Sequence, residues 1–124
     1  KVAAGFPSPA EDFGGMSLDL NRELIKNPAS TFYARVSGLS MVDEGINDGD
    51  LLVIDKSIEP YHHCLAVCYI DGEFTLKRIH FEKHEGQVTA IWLQPENEQF
   101  TPIKVTQDNQ FIIWGIVVHS VRSF

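Results

Sequence analysis

From Thr31 onward, hydrophobic and polar positions alternate with a period near two, the mark of strands. Thr31–Val36 alternates and is rich in aromatic residues. Leu51–Ile54 is a continuous apolar run bounded by Gly49-Asp50 and Asp55-Lys56. Leu65–Ile70 runs into Asp71-Gly72, a dipeptide suited to a two-residue hairpin turn. Glu73–Phe81 is then the return strand, and Val88–Leu93 and Phe111–Val118 complete a predicted set of six. The pattern predicts one short helix, in which Asp19 can cap and Leu20, Leu24 and Ile25 share a face until Pro28 ends it. Residues 1–16 carry Gly5, Gly14, Gly15, Pro7 and Pro9 without any period. They predict a flexible, extended arm ahead of a β-rich domain spanning 17–124. The expected fold class is mainly β, with one short N-terminal helix.

Composition narrows the picture. A chain of 124 residues and 13.9 kDa fits one domain, and at this size a core forms without a metal or disulfide staple. Seventeen acidic against ten basic residues argue against direct binding of duplex DNA or an anionic membrane, because phosphate contacts need clustered Lys and Arg. No apolar run approaches the roughly 18 residues of a membrane span, and no signal peptide is evident. The chain starts at Lys1 rather than Met, so a fragment or processed product is expected.

Cys64 and Cys68 would stand about 13 Å apart along a strand, too far for a disulfide. A reducing cytoplasm is the simpler setting. The cluster His62, His63, Cys64 and Cys68, with His80 and His84 beyond, invites a zinc reading, but zinc sites favour a close pair on a turn plus a second pair. The expectation is no metal: buried cysteines in a strand, flanked by turn histidines. Asp43, Glu44, Asn47, Asp48 and Asp50 crowd one loop without the spacing of a calcium-binding loop, and a solvated turn accounts for them.

Two features could carry catalysis. In Ser37-Gly38-Leu39-Ser40-Met41, Ser40 would stand at the start of a turn over Met41–Glu44, where free backbone N–H groups could hold an oxyanion. A plain turn is the competing reading, and Val42 rules out the Gly-x-Ser-x-Gly elbow. The four histidines from His62 to His84 are not placed with an Asp as a base. A lysine made neutral by burial is the other option. Thr75, Lys77 and Ile79 fall on one face, continued by Phe81, so Lys77 interrupts an apolar face. It is either a desolvated base or a charge protecting an exposed edge strand. The residues by themselves leave both pairs of readings open.

Taken together, four motifs resemble the self-cleaving Ser–Lys peptidases of the LexA-repressor and UmuD family. Ser37-Gly38-Leu39-Ser40-Met41 resembles the nucleophile motif Ser-Gly-x-Ser-Met. Gly45-Ile46-Asn47-Asp48-Gly49-Asp50-Leu51-Leu52 resembles Gly-Ile-x-Asp-Gly-Asp-Leu-Leu. Phe74-Thr75-Leu76-Lys77-Arg78 resembles the lysine strand, and Ala4-Gly5 the scissile pair. Gly5-Phe6-Pro7-Ser8-Pro9-Ala10 and Asp19-Leu20-Asn21 look like the UmuD and MucA branch, the polymerase managers, rather than the repressors.

The resemblance implies a fold like the LexA C-terminal domain and signal peptidase, with several short, strongly curved strands. It implies Ser40 as nucleophile, Lys77 as base, the backbone N–H groups of Leu39 and Ser40 as oxyanion hole, and cleavage between Ala4 and Gly5, without a cofactor. It further implies an SOS-response role: a homodimer, stimulated by a RecA filament on single-stranded DNA, whose processed form serves a Y-family translesion polymerase. The absence of a winged helix before Ala4 fits a manager better than a repressor. The self-cleavage domain of a LexA-like or phage-type repressor, and a non-catalytic β-domain that binds partners, are the rival readings. Two departures stand out: His63-Cys64 replaces a frequent Gly-Asp turn, and Leu39 replaces the Asp or Met usual before the nucleophile.

Overall fold

The computed structural model describes residues 17–38, 45–94 and 101–124. The arm 1–16, and with it Ala4-Gly5, lies outside the described residues, as does the segment 39–44 with Leu39 and Ser40. A short helix, α1 (Leu20–Leu24), and a 3-10 turn over Pro28–Ser30 precede the strands β1 (Thr31–Arg35), β2 (Leu51–Asp55), β3 (Leu65–Ile70), β4 (Glu73–His84), β5 (Gln87–Gln94), β6 (Ile103–Val105) and β7 (Phe111–Val121). They form one antiparallel sheet in the order β1-β2-β7-β3-β4-β5-β6. The fold is mainly β, as the periodicity predicts.

Alternation gives the sheet a core on each face. Cys64, Ala66, Cys68, Ile79, Leu93 and Ile116 pack on one side. Ile46, Leu52, Ile54 and Leu65 pack on the other, with Val67, Leu76, Trp114 and Val117 against them. On β7 Trp114 is an extra residue in the pairing with β3. That bulge brings Ile113 and Ile116, three residues apart, onto the same face. Helix α1 begins as predicted, with Asp19 Oδ1 accepting from the backbone N–H groups of Asn21 and Arg22. Leu24 and Ile25 are half-buried, and with Leu20 they border a hollow that Tyr33, Val53 and Val121 also line.

Several strands run longer than the pattern predicts. Asp71 and Gly72 both take positive φ, 47° and 91°, and make the expected hairpin turn. Glu85 and Gly86 do the same at 51° and 79°. This second tight turn extends β4 to His84 and starts β5 at Gln87, so β4 has 12 residues. His80 consequently stands within a strand rather than near its end. Strand β7 reaches 11 residues, and β6 escapes sequence detection because it is only three residues long.

Candidate active site

The backbone that leads to Ser40 is fastened to the turn before β2. Val36 N–H donates to Asp50 O and Gly49 N–H to Val36 O, each at 2.8 Å. Gly38 N–H donates to Asp48 Oδ1 at 3.2 Å, and Arg35 Nη1 donates to Gly49 O at 3.0 Å. Gly38 has φ 108°, a left-handed conformation that a side chain would strain. These contacts aim the chain as it leaves β1, and Gly38 is the hinge they require.

The same turn is solvated at Asn47 and Asp48, as its composition suggests, but not at Asp50. Asp50 is buried, accepts from Asn47 N–H at 2.8 Å, and pairs with Arg122 from the far end of the chain at 3.1 Å. Arg122 Nη2 also donates to Gly45 O. The Arg122 hydrogen bond, then the Asn47 N–H, hold the Asp50 carboxyl below the usual carboxylate range. Arg122 lies 72 residues from Asp50, so no local pattern could have paired them.

Lys77 comes from the other side of the site. It lies on β4, an interior strand between β3 and β5, which removes the edge-strand reading. Its partner across the ladder is Ala66, fully buried, and it shares its face with Ile79, also fully buried. Only 8% of Lys77 remains exposed. Burial lowers its pKa, opposed by the nearby Cys68. Burial also pushes the Cys68 thiol up to about 12, with Cys64 adding to the shift and Lys77 opposing it. Both cysteines are free, buried and inert in character.

A cleft of about 260 Å³ runs beside the strand end that leads toward Ser40. Ala34 to Gly38 line one wall, and Phe74, Thr75 and Leu76 line the other, with Leu52 and Val67 between. Three strands, β2, β7 and β3, stand between β1 and β4 in the sheet order, so only the curl of the sheet lets them border one cleft. Thr75 shares its face with Lys77 one step along β4. Lys77 itself does not line the cleft: Leu52, Val67 and Leu76, which do, pack in the core on the face of the sheet opposite Ile79. The Peptidase S24-like family model matches residues 1–118.

The chain belongs to this family. It is 38% identical over 122 residues to protein MucA of Escherichia coli, covering 98% of this chain and 80% of that one. It is 37% identical over 123 residues to SamA of Salmonella typhimurium, covering 99% and 84%. It is 40% identical over 124 residues to the LexA repressor of Pseudoalteromonas atlantica, covering 99% of this chain and 57% of the repressor. The UmuD-type resemblance drawn from the motifs is thus matched over nearly the whole chain. Among the described residues no helix is long and apolar enough to cross a membrane.

Among the described residues, the one group of close potential metal ligands is His62, His63 and His80, and it includes neither Cys64 nor Cys68. The histidines do not behave as independent turn residues: His62 and His63 converge on His80. The expected spacing of a close pair plus a second pair does not describe this group, in which a turn supplies two histidines and the neighbouring strand one.

Proposed function

We propose that this chain is a self-cleaving Ser–Lys peptidase, with Ser40 as nucleophile, Lys77 as general base and Ala4–Gly5 as the scissile bond. The observation that carries the reading is Lys77, a lysine on an interior strand with 8% of its surface exposed and its pKa lowered by burial. A protonated lysine cannot accept a proton, and desolvation is the means of supplying the neutral amine. Lys77 Nζ takes the proton of Ser40 Oγ as the oxygen attacks the Ala4 carbonyl carbon. The backbone N–H groups of Leu39 and Ser40 stabilise the oxyanion. As the Ala4–Gly5 bond breaks, Lys77 returns the proton to the Gly5 amine, and water then releases the acyl group from Ser40.

By family resemblance, the reaction is a switch on the protein's own chain. A RecA filament on single-stranded DNA stimulates it, and the processed homodimer becomes the accessory subunit of a Y-family translesion polymerase. The similarity to the LexA repressor favours one second reading, the self-cleavage domain of a repressor. It is distinguished by what precedes Lys1: a winged helix there establishes the repressor.

The test is incubation of the protein with and without an activated RecA filament, followed by intact mass measurement. Loss of Lys1–Ala4 is expected, and both Ser40→Ala and Lys77→Ala are expected to abolish it while remaining folded. Cleavage that persists in either variant overturns the assignment. An intact Ala4–Gly5 bond under all conditions favours a non-catalytic partner-binding domain.

A further inference from the structure

Three imidazoles that the peptidase chemistry does not use meet beside the start of β3. His62 and His63 are consecutive in the turn before that strand, and His80 comes from β4. Ring centroids are 3.8 Å apart for His62 and His63, 4.4 Å for His62 and His80, and 5.5 Å for His63 and His80. One nitrogen from each ring can be chosen so that all three lie within 4.8 Å of one another.

The backbone builds this arrangement. His63 N–H donates to Ile79 O at 2.7 Å, and Ile79 N–H donates to Cys64 O at 2.9 Å. Phe81 N–H donates to His62 Nδ1 at 3.0 Å. The turn is thus tied to β4 on both sides of His80. Arg78 Nη1 donates to His63 O at 2.9 Å and secures it further. His63 takes φ 71°, a left-handed conformation uncommon outside glycine, though histidine enters it more readily than most residues. His80 Nδ1 is buried with no hydrogen-bond partner among the described residues, which natural proteins seldom leave without a reason.

We propose that His62, His63 and His80 bind one divalent transition-metal ion of the zinc class. Three imidazoles favour zinc, nickel or copper over magnesium or calcium, which prefer oxygen. Zinc held about 2.0–2.1 Å from each nitrogen in a tetrahedron keeps the nitrogens roughly 3.3 Å apart, so the widest pair closes by roughly 1.5 Å through ring rotation. Water takes the fourth position. Phe81 N–H donates to His62 Nδ1, so ligation through either nitrogen of His62 displaces that hydrogen bond. Arg78, whose guanidinium reaches His63 O, and Lys83 are cations that oppose the ion locally. The net charge of −7 favours a cation overall. The proposed ligands include neither Ser40 nor Lys77. His63 also stands at a departure from the family pattern, so the family's chemistry does not account for it.

Titration calorimetry of the full chain with zinc chloride tests this. One ion per chain is expected. His63→Asn, which keeps a residue tolerant of positive φ, and His80→Gln are each expected to weaken binding at least about tenfold, the loss that even outer-sphere partners of a metal cause. Joint replacement of the other two histidines, His84 and His119, by Gln is expected to leave binding unchanged. In the unaltered protein, zinc should shift the side-chain nitrogen resonances of His62, His63 and His80 together. No binding, binding unaffected in His63→Asn and His80→Gln, or shifts confined to His84 and His119 would each overturn the proposal.

Discussion

Lys77 sets a cost as well as a function. Its pKa is lower in the folded protein than in the unfolded chain, so unfolding takes up a proton wherever the pH lies between the two values, and below both the full cost of burying the charge remains. Its burial therefore opposes folding at neutral pH, and that opposition fades as the pH rises toward the ordinary lysine range. Lys77→Met should remove cleavage yet raise the melting temperature, by about 3–6 °C for each kcal/mol gained. Thermal unfolding at pH 7 and pH 10 checks this, with the gain smaller at the higher pH. Gly38 makes a complementary case. No atom crowds it, but its φ of 108° does not suit alanine. Gly38→Ala should cost about 1–3 kcal/mol in backbone strain and slow cleavage, because the displaced backbone is the one that leads to Ser40. Asp55 is a third residue with a readable consequence. It accepts from Asn27 at 2.7 Å, from Ser57 Oγ at 2.7 Å and from Ser30 Oγ at 2.9 Å. Those bonds, Asn27 first, hold its carboxyl far below the usual range. The stability it lends is present above the ordinary Asp pKa and is lost as pH falls toward the folded value. Asp55→Asn should therefore lower the melting temperature at pH 7 and narrow the difference from the unaltered protein near pH 2.

At the scale of elements, the central strands decide what the sequence could reveal. Their alternation makes β1 to β5 and β7 legible, and the Asp71-Gly72 turn sets one hairpin. The sheet order is not legible, because β2 pairs with β7 through contacts such as Leu51 with Val121 that no local window spans. Lys77 illustrates the same limit. Its apolar face can be read from alternation, but whether β4 is an edge or an interior strand depends on β5 folding back through the Glu85-Gly86 turn. The nucleophile motif is legible as a motif, while the cleft beside it depends on the curl that brings β1 toward β4. Close packing between β7 and β2 yields its own test. A Cβ at Gly115 would stand 2.5 Å from Ile54 Cγ2 and 3.3 Å from Lys56 Cγ. Ile54 is fully buried and has little room to yield. Gly115→Ala should destabilise by about 1–3 kcal/mol, measured by urea unfolding, with the slope unchanged.

For the molecule as a whole, the acidic balance and the proposed switch belong together. With a net charge of −7, the protein is not expected to hold duplex DNA directly, and on the proposed reading its link to damaged DNA runs through a nucleoprotein filament and a polymerase. Fluorescence anisotropy with labelled duplex should show no binding at low micromolar protein and physiological salt. The central claim is that a buried, neutral Lys77 activates Ser40 against the protein's own arm. Intact mass spectrometry of the protein incubated alone across neutral to alkaline pH, beside its Lys77→Ala variant, tests it most directly. The account requires loss of Lys1–Ala4 at a rate that climbs with pH as Lys77 gives up its proton, and no loss in the variant. A rate that stays flat across that range while chemistry is limiting, or a variant that cleaves as fast as the unaltered chain, would contradict it.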